Sequence, residues 1–232
     1  MDKAEFDKFA DEYRSLHATN IAISGEDPDY FAEYKIRDLA AEYFALRGGD
    51  GAPAVLDFGA GIGTSVPLVR KYLPRARLTC LDVSTKSLEV GQSRFPGEAR
   101  FMLFDGTQIP LPDASFDIAF AACVFHHIDH DKHVALLTEL RRVLVPNGIA
   151  IVFEHNPYNP LTVHVVNTCP FDENARLIPA ATMRKRINAA GFSKAQIRYR
   201  IFFPRFLRTL RPLERWMTWV PLGAQYYALA LK

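Results

Sequence analysis

The sequence predicts an α/β fold, a mostly parallel sheet covered by helices on both faces. Three observations carry this expectation. Short apolar runs end in a carboxylate: Val55-Leu56-Asp57, Leu78-Thr79-Cys80-Leu81-Asp82, and Arg100 to Phe104 followed by Asp105. Segments whose apolar residues recur at helical spacing alternate with those runs. Ile149 to Glu154 is almost wholly apolar, as a parallel strand buried on both faces requires. With 232 residues the chain is long enough to bury a large core as a single domain, 1–232.

Taken in order, Ala4 to Leu16 reads as a helix on the spacing of Phe6, Phe9 and Tyr13, and Ala18 to Pro28 reads as a loop with turn signals at Ser24-Gly25 and Asp27-Pro28. A helix from about Tyr30 to Leu46 buries Tyr34, Leu39 and Tyr43 and ends at Gly48-Gly49. After the first three strands, a fourth runs from Ile118 to Cys123. A helix from Asp131 to Val145 follows, with Asp129 and Asp131 as caps, Arg141-Arg142 at its cation-favouring end and Pro146-Asn147-Gly148 stopping it. The fifth strand leads into a long connection, 155–179, whose length points to a functional role or a short helix of its own. Ala180 to Ala190 is a helix closed by Gly191; Ile197 to Phe203 and Gln225 to Leu231 are a late strand pair.

Function is most legible in Asp57-Phe58-Gly59-Ala60-Gly61-Ile62-Gly63-Thr64, where a strand turns into a helix through three glycines. Glycine lets the backbone take positive φ and approach a ligand closely. The dinucleotide fingerprint G-x-G-x-x-G would place its third glycine where Thr64 stands, and Asp57 suits a cationic amino group better than a phosphate. With Asp82 about 20 residues further on as a ribose acceptor, Asp105-Gly106, and the passage Leu111 to Asp117 leading to Val124-Phe125-His126-His127, the chain resembles the class I S-adenosylmethionine-dependent methyltransferases.

That resemblance implies a doubly wound, seven-stranded, mostly parallel sheet with the last strand antiparallel, and S-adenosylmethionine as cofactor. It assigns cofactor contacts to Asp57, Gly59, Ala60, Gly61, Gly63, Asp82, Val83, Asp105, Gly106, Cys123 and His126, with Asp105 and Gly106 at the adenine edge. Residues 1–48 become a helical cap or lid, with Tyr13 on the cofactor, although Arg14 stands where the family often has an aspartate. Segments 155–179 and 204–222 become acceptor-site insertions. The plain structural reading of Asp57, Asp82 and Asp105 is that each caps a helix; their recurrence at successive strand ends favours the ligand reading.

Methyl transfer to oxygen or nitrogen of a small-molecule acceptor is the expected reaction. A hydroxyl acceptor needs a base. His155 is the preferred one and His127 the second, with His126 and Glu154 beside them; Tyr158 and Asn159 are expected to meet the acceptor. The plain reading is that each histidine only binds a loop or lines the pocket. His126 and His130 on one helical face, with His127 and His133, could hold a divalent metal, but no third ligand lies nearby in sequence, so no metal is expected. A non-catalytic cofactor-binding protein and a nicotinamide-dependent dehydrogenase are the rival functions.

The net charge of +2 excludes a chain-wide basic field for nucleic acid. Three cysteines without metal spacing fit a reducing cytoplasm. No apolar stretch is long enough to span a membrane, and the charged start lacks a signal peptide's apolar region. Yet Arg198, Arg200, Arg205, Arg208, Arg211 and Arg215 interleave with Phe202, Phe203, Phe206, Trp216 and Trp219. Packed aromatics with a solvated arginine rim are the plain reading; peripheral contact with an anionic membrane, or a lipid-linked or anionic acceptor, is the sharper one.

Overall fold

The computed structural model describes residue 21, residues 24–48 and residues 51–232. The expected helix at 4–16 and the lid role of Tyr13 lie outside these residues. Helix α1 (Pro28–Arg47) starts where Asp27 accepts the Tyr30 N–H at 2.9 Å and ends at Gly48 with φ 68°. Next come β1 (Ala54–Phe58), α2 (Val66–Tyr72), β2 (Arg77–Asp82), α3 (Thr85–Arg94), β3 (Arg100–Leu103) and β4 (Phe116–Ala122). A 3₁₀ turn at Phe125–His127 precedes α4 (His133–Val143) and β5 (Leu144–His155); α5 (Pro160–Asn167), a 3₁₀ turn at Pro170–Asp172 and α6 (Ala180–Ala189) follow. The chain closes with β6 (Ser193–Arg200), a 3₁₀ segment Arg205–Trp216 and β7 (Gln225–Leu231).

The seven strands form one sheet in the order β3-β2-β1-β4-β5-β7-β6. β1 to β5 pair in parallel, and β7 lies antiparallel between β5 and β6. This is the expected doubly wound architecture. Alternation sorts the side chains onto two faces. Ile118, Phe120, Ile149, Ile151 and Phe153 point toward α1 and α2, whose Leu39, Val66 and Val69 cover them. Ala119, Ala121, Ala150 and Val152 point toward α4 and α6, with Leu137, Leu140, Met183 and Ile187. Large residues on one face against small ones on the other let helices approach at different depths without voids.

Three local expectations change. Pro146-Asn147-Gly148 does not separate α4 from β5: the strand begins at Leu144, and residues 145–148 bulge between the pairs Phe116–Leu144 and Ile118–Ile149, with Asn147 at φ 59°. A bulge absorbs turn-forming residues that would otherwise end the element. Neither Asp129 nor Asp131 caps α4, because the N-cap is Lys132 and Asp129 instead accepts from the Lys132 ammonium at 2.8 Å. β6 also ends earlier than expected, at Arg200.

Candidate functional site

The carboxyl ends of β1, β2 and β4 build one side of the site. Gly59, Gly61 and Gly63 all have positive φ, at 77°, 52° and 74°. A Cβ on Gly59 would lie 2.5 Å from Val124 Cγ2, so only glycine lets this loop meet the segment after β4. Gly61 faces open space, with nothing within 4 Å of a Cβ built there. Gly59 and Ala60 donate their N–H groups to the Leu81 carbonyl at 2.8 and 3.1 Å. Asp82 Oδ2 accepts the Gly61 N–H at 2.7 Å and Oδ1 the Ser84 N–H at 2.9 Å. The loop and the second strand end are thus a single hydrogen-bonded unit.

Asp57 is buried and accepts the Ser65 hydroxyl. Burial pushes its carboxyl up to about 7, against the lowering effect of Ser65, and the nearby Asp82 charge adds to the rise. A buried carboxyl in this condition is relieved by a cation. An ammonium-bearing, hydroxyl-bearing, phosphate-free ligand therefore fits the residues present. Val83 is buried behind Gly106, whose φ is 88°. Asp105 is exposed at the rim, where its Oδ1 accepts the Thr107 and Gln108 N–H groups at 2.8 and 3.1 Å. The lowered pKa of that carboxyl follows from these bonds.

The ends of β4 and β5 build the other side. Glu154 is fully buried; its Oε1 accepts the Phe125 N–H at 2.8 Å and its Oε2 bonds His126 Nδ1 at 2.6 Å. Asp172 Oδ1, from the long connection, lies 3.4 Å from both His126 Nε2 and His127 Nε2. Although burial opposes it, the Glu154 and Asp172 charges hold His126 up at about 10. Burial and the adjacent His126 push His127 down to about 3. His126 thus turns both ring nitrogens toward the acidic cluster.

His155 stands next to this cluster, its ring 5.1 Å from that of His126. Gln225 Nε2 contacts its Nδ1 at 3.3 Å, and Tyr34 donates its hydroxyl to Gln225 Oε1. Cys123, at φ 60°, hydrogen-bonds His155. Although burial raises the thiol, Lys35 and His155 bring it down to about 7.

The other expected residues divide. Tyr158 is exposed, while Asn159 caps α5 by accepting the Thr162 N–H at 2.9 Å and donates its amide to the Leu222 carbonyl at 2.9 Å. Its side chain therefore serves the scaffold in addition to any acceptor. His130 and His133 do not join His126: His133 Nε2 bonds the Ile128 carbonyl at 3.0 Å and its Nδ1 accepts from Arg186 at 2.7 Å, while His130 lies half-buried beside the Arg176 carbonyl. The 3₁₀ turn and the break before α4 remove the shared helical face. Sequence reasoning missed Asp172, Tyr34, Gln225 and the fully buried Asn156, whose amide ties the long connection to the Pro221 and Gly223 carbonyls at 3.0 and 2.8 Å. None carries a local motif.

Known proteins share part of this sequence and its fold. Residues 56–152 match the family described as Methyltransferase domain. The chain is 32% identical over 136 residues to Thiol S-methyltransferase TMT1B of Homo sapiens, across 54% of this chain and 53% of that protein. It is 31% identical over 114 residues to the ubiquinone/menaquinone biosynthesis C-methyltransferase UbiE of Desulfotalea psychrophila, across 49% and 46%. A SAM-dependent methyltransferase of Thermotoga maritima superposes with a TM-score of 0.68 at 18% identity over 99% of both chains, a likeness of fold. The chain spans about half the length of the curated relatives it matches. Residues 56–152 carry a methyltransferase domain, on the fold of the S-adenosylmethionine-dependent methyltransferases, whose cofactor is S-adenosylmethionine.

Proposed function

We propose that the protein transfers the methyl group of S-adenosylmethionine to an oxygen or nitrogen of a small-molecule acceptor. The observation that carries this reading is the proton-handling wall at the ends of β4 and β5, in van der Waals reach of the glycine loop through Gly59 and Val124. When bound, the cofactor supplies an electrophilic methyl on a sulfonium. Asp57 meets its ammonium, Asp82 its ribose hydroxyls, and Asp105 with Gly106 the adenine edge. The acceptor lone pair forms the new bond to the methyl carbon as the carbon–sulfur bond breaks and its electron pair stays on sulfur. Alignment of these three atoms is the main catalytic demand.

The proton that the acceptor loses passes to the Cys123–His155 pair, which shares a hydrogen bond and has a thiol poised near neutrality. His127, held neutral by burial and by the adjacent His126, is a weak base. Turnover separates this reading from non-catalytic cofactor binding. Release of S-adenosylhomocysteine with isotopic label appearing on hydroxyl or amine acceptors is the expected result; cofactor binding without release across such a panel overturns it.

The acceptor in this reading is anionic or lipid-linked and met at a membrane surface. Phe206, Trp216 and Trp219 are 80%, 60% and 77% exposed, and Leu213 and Leu222 are exposed with them, alongside Arg205, Arg208 and Arg215. Asn156 and Asn159 bind this segment's carbonyls, so it adjoins the connection that carries Asp172. No helix among the described residues is long and apolar enough to cross a membrane, and a cytoplasmic, peripheral location fits this reading.

A further inference from the structure

We propose that His126, His127 and Asp172 form a binding site for a divalent zinc-like cation. The three residues come from two separate parts of the chain, the turn after β4 and the 3₁₀ turn at Pro170–Asp172. Each offers one ligand atom, and these atoms lie within 4.8 Å of one another. The sequence expectation of no metal rested on the lack of a nearby third ligand; folding supplies Asp172.

The distances suit a bridging cation. Asp172 Oδ1 is 3.4 Å from each imidazole Nε2. Ligands at about 2.0–2.1 Å from a tetrahedral zinc are separated from one another by roughly 3.3–3.4 Å. His126 Nε2 is fully buried and has no hydrogen-bond partner. Its other nitrogen, Nδ1, is held by Glu154 at 2.6 Å. A metal-ligating histidine characteristically binds a carboxylate through its second nitrogen, which aims the first at the metal, and the cation displaces the proton held there. Glu154 is itself anchored by the Phe125 N–H at 2.8 Å, so the ring cannot turn away.

Two imidazoles and one carboxylate are a borderline donor set suited to zinc rather than magnesium or calcium, whose ligands are oxygens. Three protein ligands leave a fourth position for water or an acceptor atom, as in catalytic rather than structural zinc sites. The His127 and Asp172 side chains keep 12% and 13% exposure, which provides entry from solvent. A role in lowering the pKa of an acceptor hydroxyl would rest on the methyl-transfer reading; binding of the cation does not.

Equilibrium dialysis of the whole purified chain against zinc, with metal content measured by mass spectrometry, tests the site without any acceptor. One zinc per chain is expected, and replacement by cobalt should give the intense visible absorption of a four-coordinate site without a thiolate charge-transfer band. His127→Ala and Asp172→Ala lie at the rim and should each lose at least tenfold in affinity while keeping wild-type circular dichroism. Glu154→Gln should weaken binding by roughly 10–100-fold although it contributes no ligand. His130→Ala and Cys123→Ser should leave it unchanged. Substoichiometric zinc at micromolar concentration, or undiminished binding in both rim variants, overturns the site. Either result leaves the measurement of methyl transfer untouched.

Discussion

Asp82 Oδ2 accepts the backbone N–H of Gly61 at 2.7 Å, so the end of the second strand holds the middle of the glycine loop. Each carboxylate oxygen has more than one acceptor site, which leaves Asp82 able to take ribose hydroxyls as well. Asp82→Ala removes both functions. Losing hydrogen bonds to a charged group costs about 1.5–3 kcal/mol, so calorimetry should show S-adenosylmethionine affinity reduced by roughly tenfold or more. Unchanged affinity in a folded variant would remove the ribose assignment.

With Asp57 meeting the cofactor ammonium as proposed, cofactor binding should depend on pH. Its carboxyl, ordinarily near 3.8, titrates at about 7 in the folded protein because it is buried. The folded state therefore binds this proton more tightly than the unfolded one. The contribution to stability is full below the unfolded value and is lost as pH rises through about 7. Cofactor affinity runs the opposite way, because the ammonium needs the ionised carboxylate. Raising pH from 5.5 to 7.5 should increase affinity by roughly 20-fold. Asp57→Asn keeps an acceptor for Ser65 and should give a flat profile; a wild-type slope in that variant would place the titrating group elsewhere.

How far these features could be read from sequence depends on how local each one is. Asp57, Asp82 and Asp105 are visible because each closes its own strand, and a parallel strand end lies at the ligand crevice whatever the distant chain does. The antiparallel direction of the last strand came from family resemblance, since the apolar run Gln225 to Leu231 marks a strand but not its neighbours. Asp172 could not be paired with His126 in advance: the residues meet only because Asn156 folds the connection back, and the Arg176 N–H bonds the His126 carbonyl at 2.8 Å. Pro146-Asn147-Gly148 misled for the reverse reason, because their local turn preference is real but is accommodated within a strand.

The long connection should separate scaffold from acceptor effects. Asn159→Ala removes an N-cap, a loss of about 1 kcal/mol, and frees the Leu222 carbonyl, so it should lower thermal stability while leaving donor affinity intact. Tyr158 is exposed and its side chain supports no cap. Tyr158→Ala should therefore keep stability and donor affinity but raise the acceptor KM several-fold. Equal loss of donor affinity in Tyr158→Ala and Asp82→Ala would show that Tyr158 faces the cofactor.

The 3₁₀ segment Arg205–Trp216 departs from the plain expectation that its aromatics would pack inside the fold. Glu214 is buried and accepts the Phe202 and Phe203 N–H groups, both at 3.0 Å, which fixes the backbone while Phe206, Trp216 and nearby Trp219 remain exposed. Arg215 lies 3.9 Å from the Trp216 ring centroid, and Arg211 pairs with Glu26 at 2.6 Å. Aromatic side chains gain from the membrane interface, and each nearby basic residue adds about 1 kcal/mol toward anionic lipid. The chain should therefore sediment with vesicles rich in phosphatidylglycerol at low salt, and less so with neutral vesicles or at high salt, where surface attraction is screened. Trp216→Ala combined with Trp219→Ala should weaken binding at both salt concentrations, whereas Arg208→Gln should act mainly at low salt. Absence of binding to anionic vesicles at low salt would eliminate the membrane reading and leave a soluble acceptor as the substrate of the site.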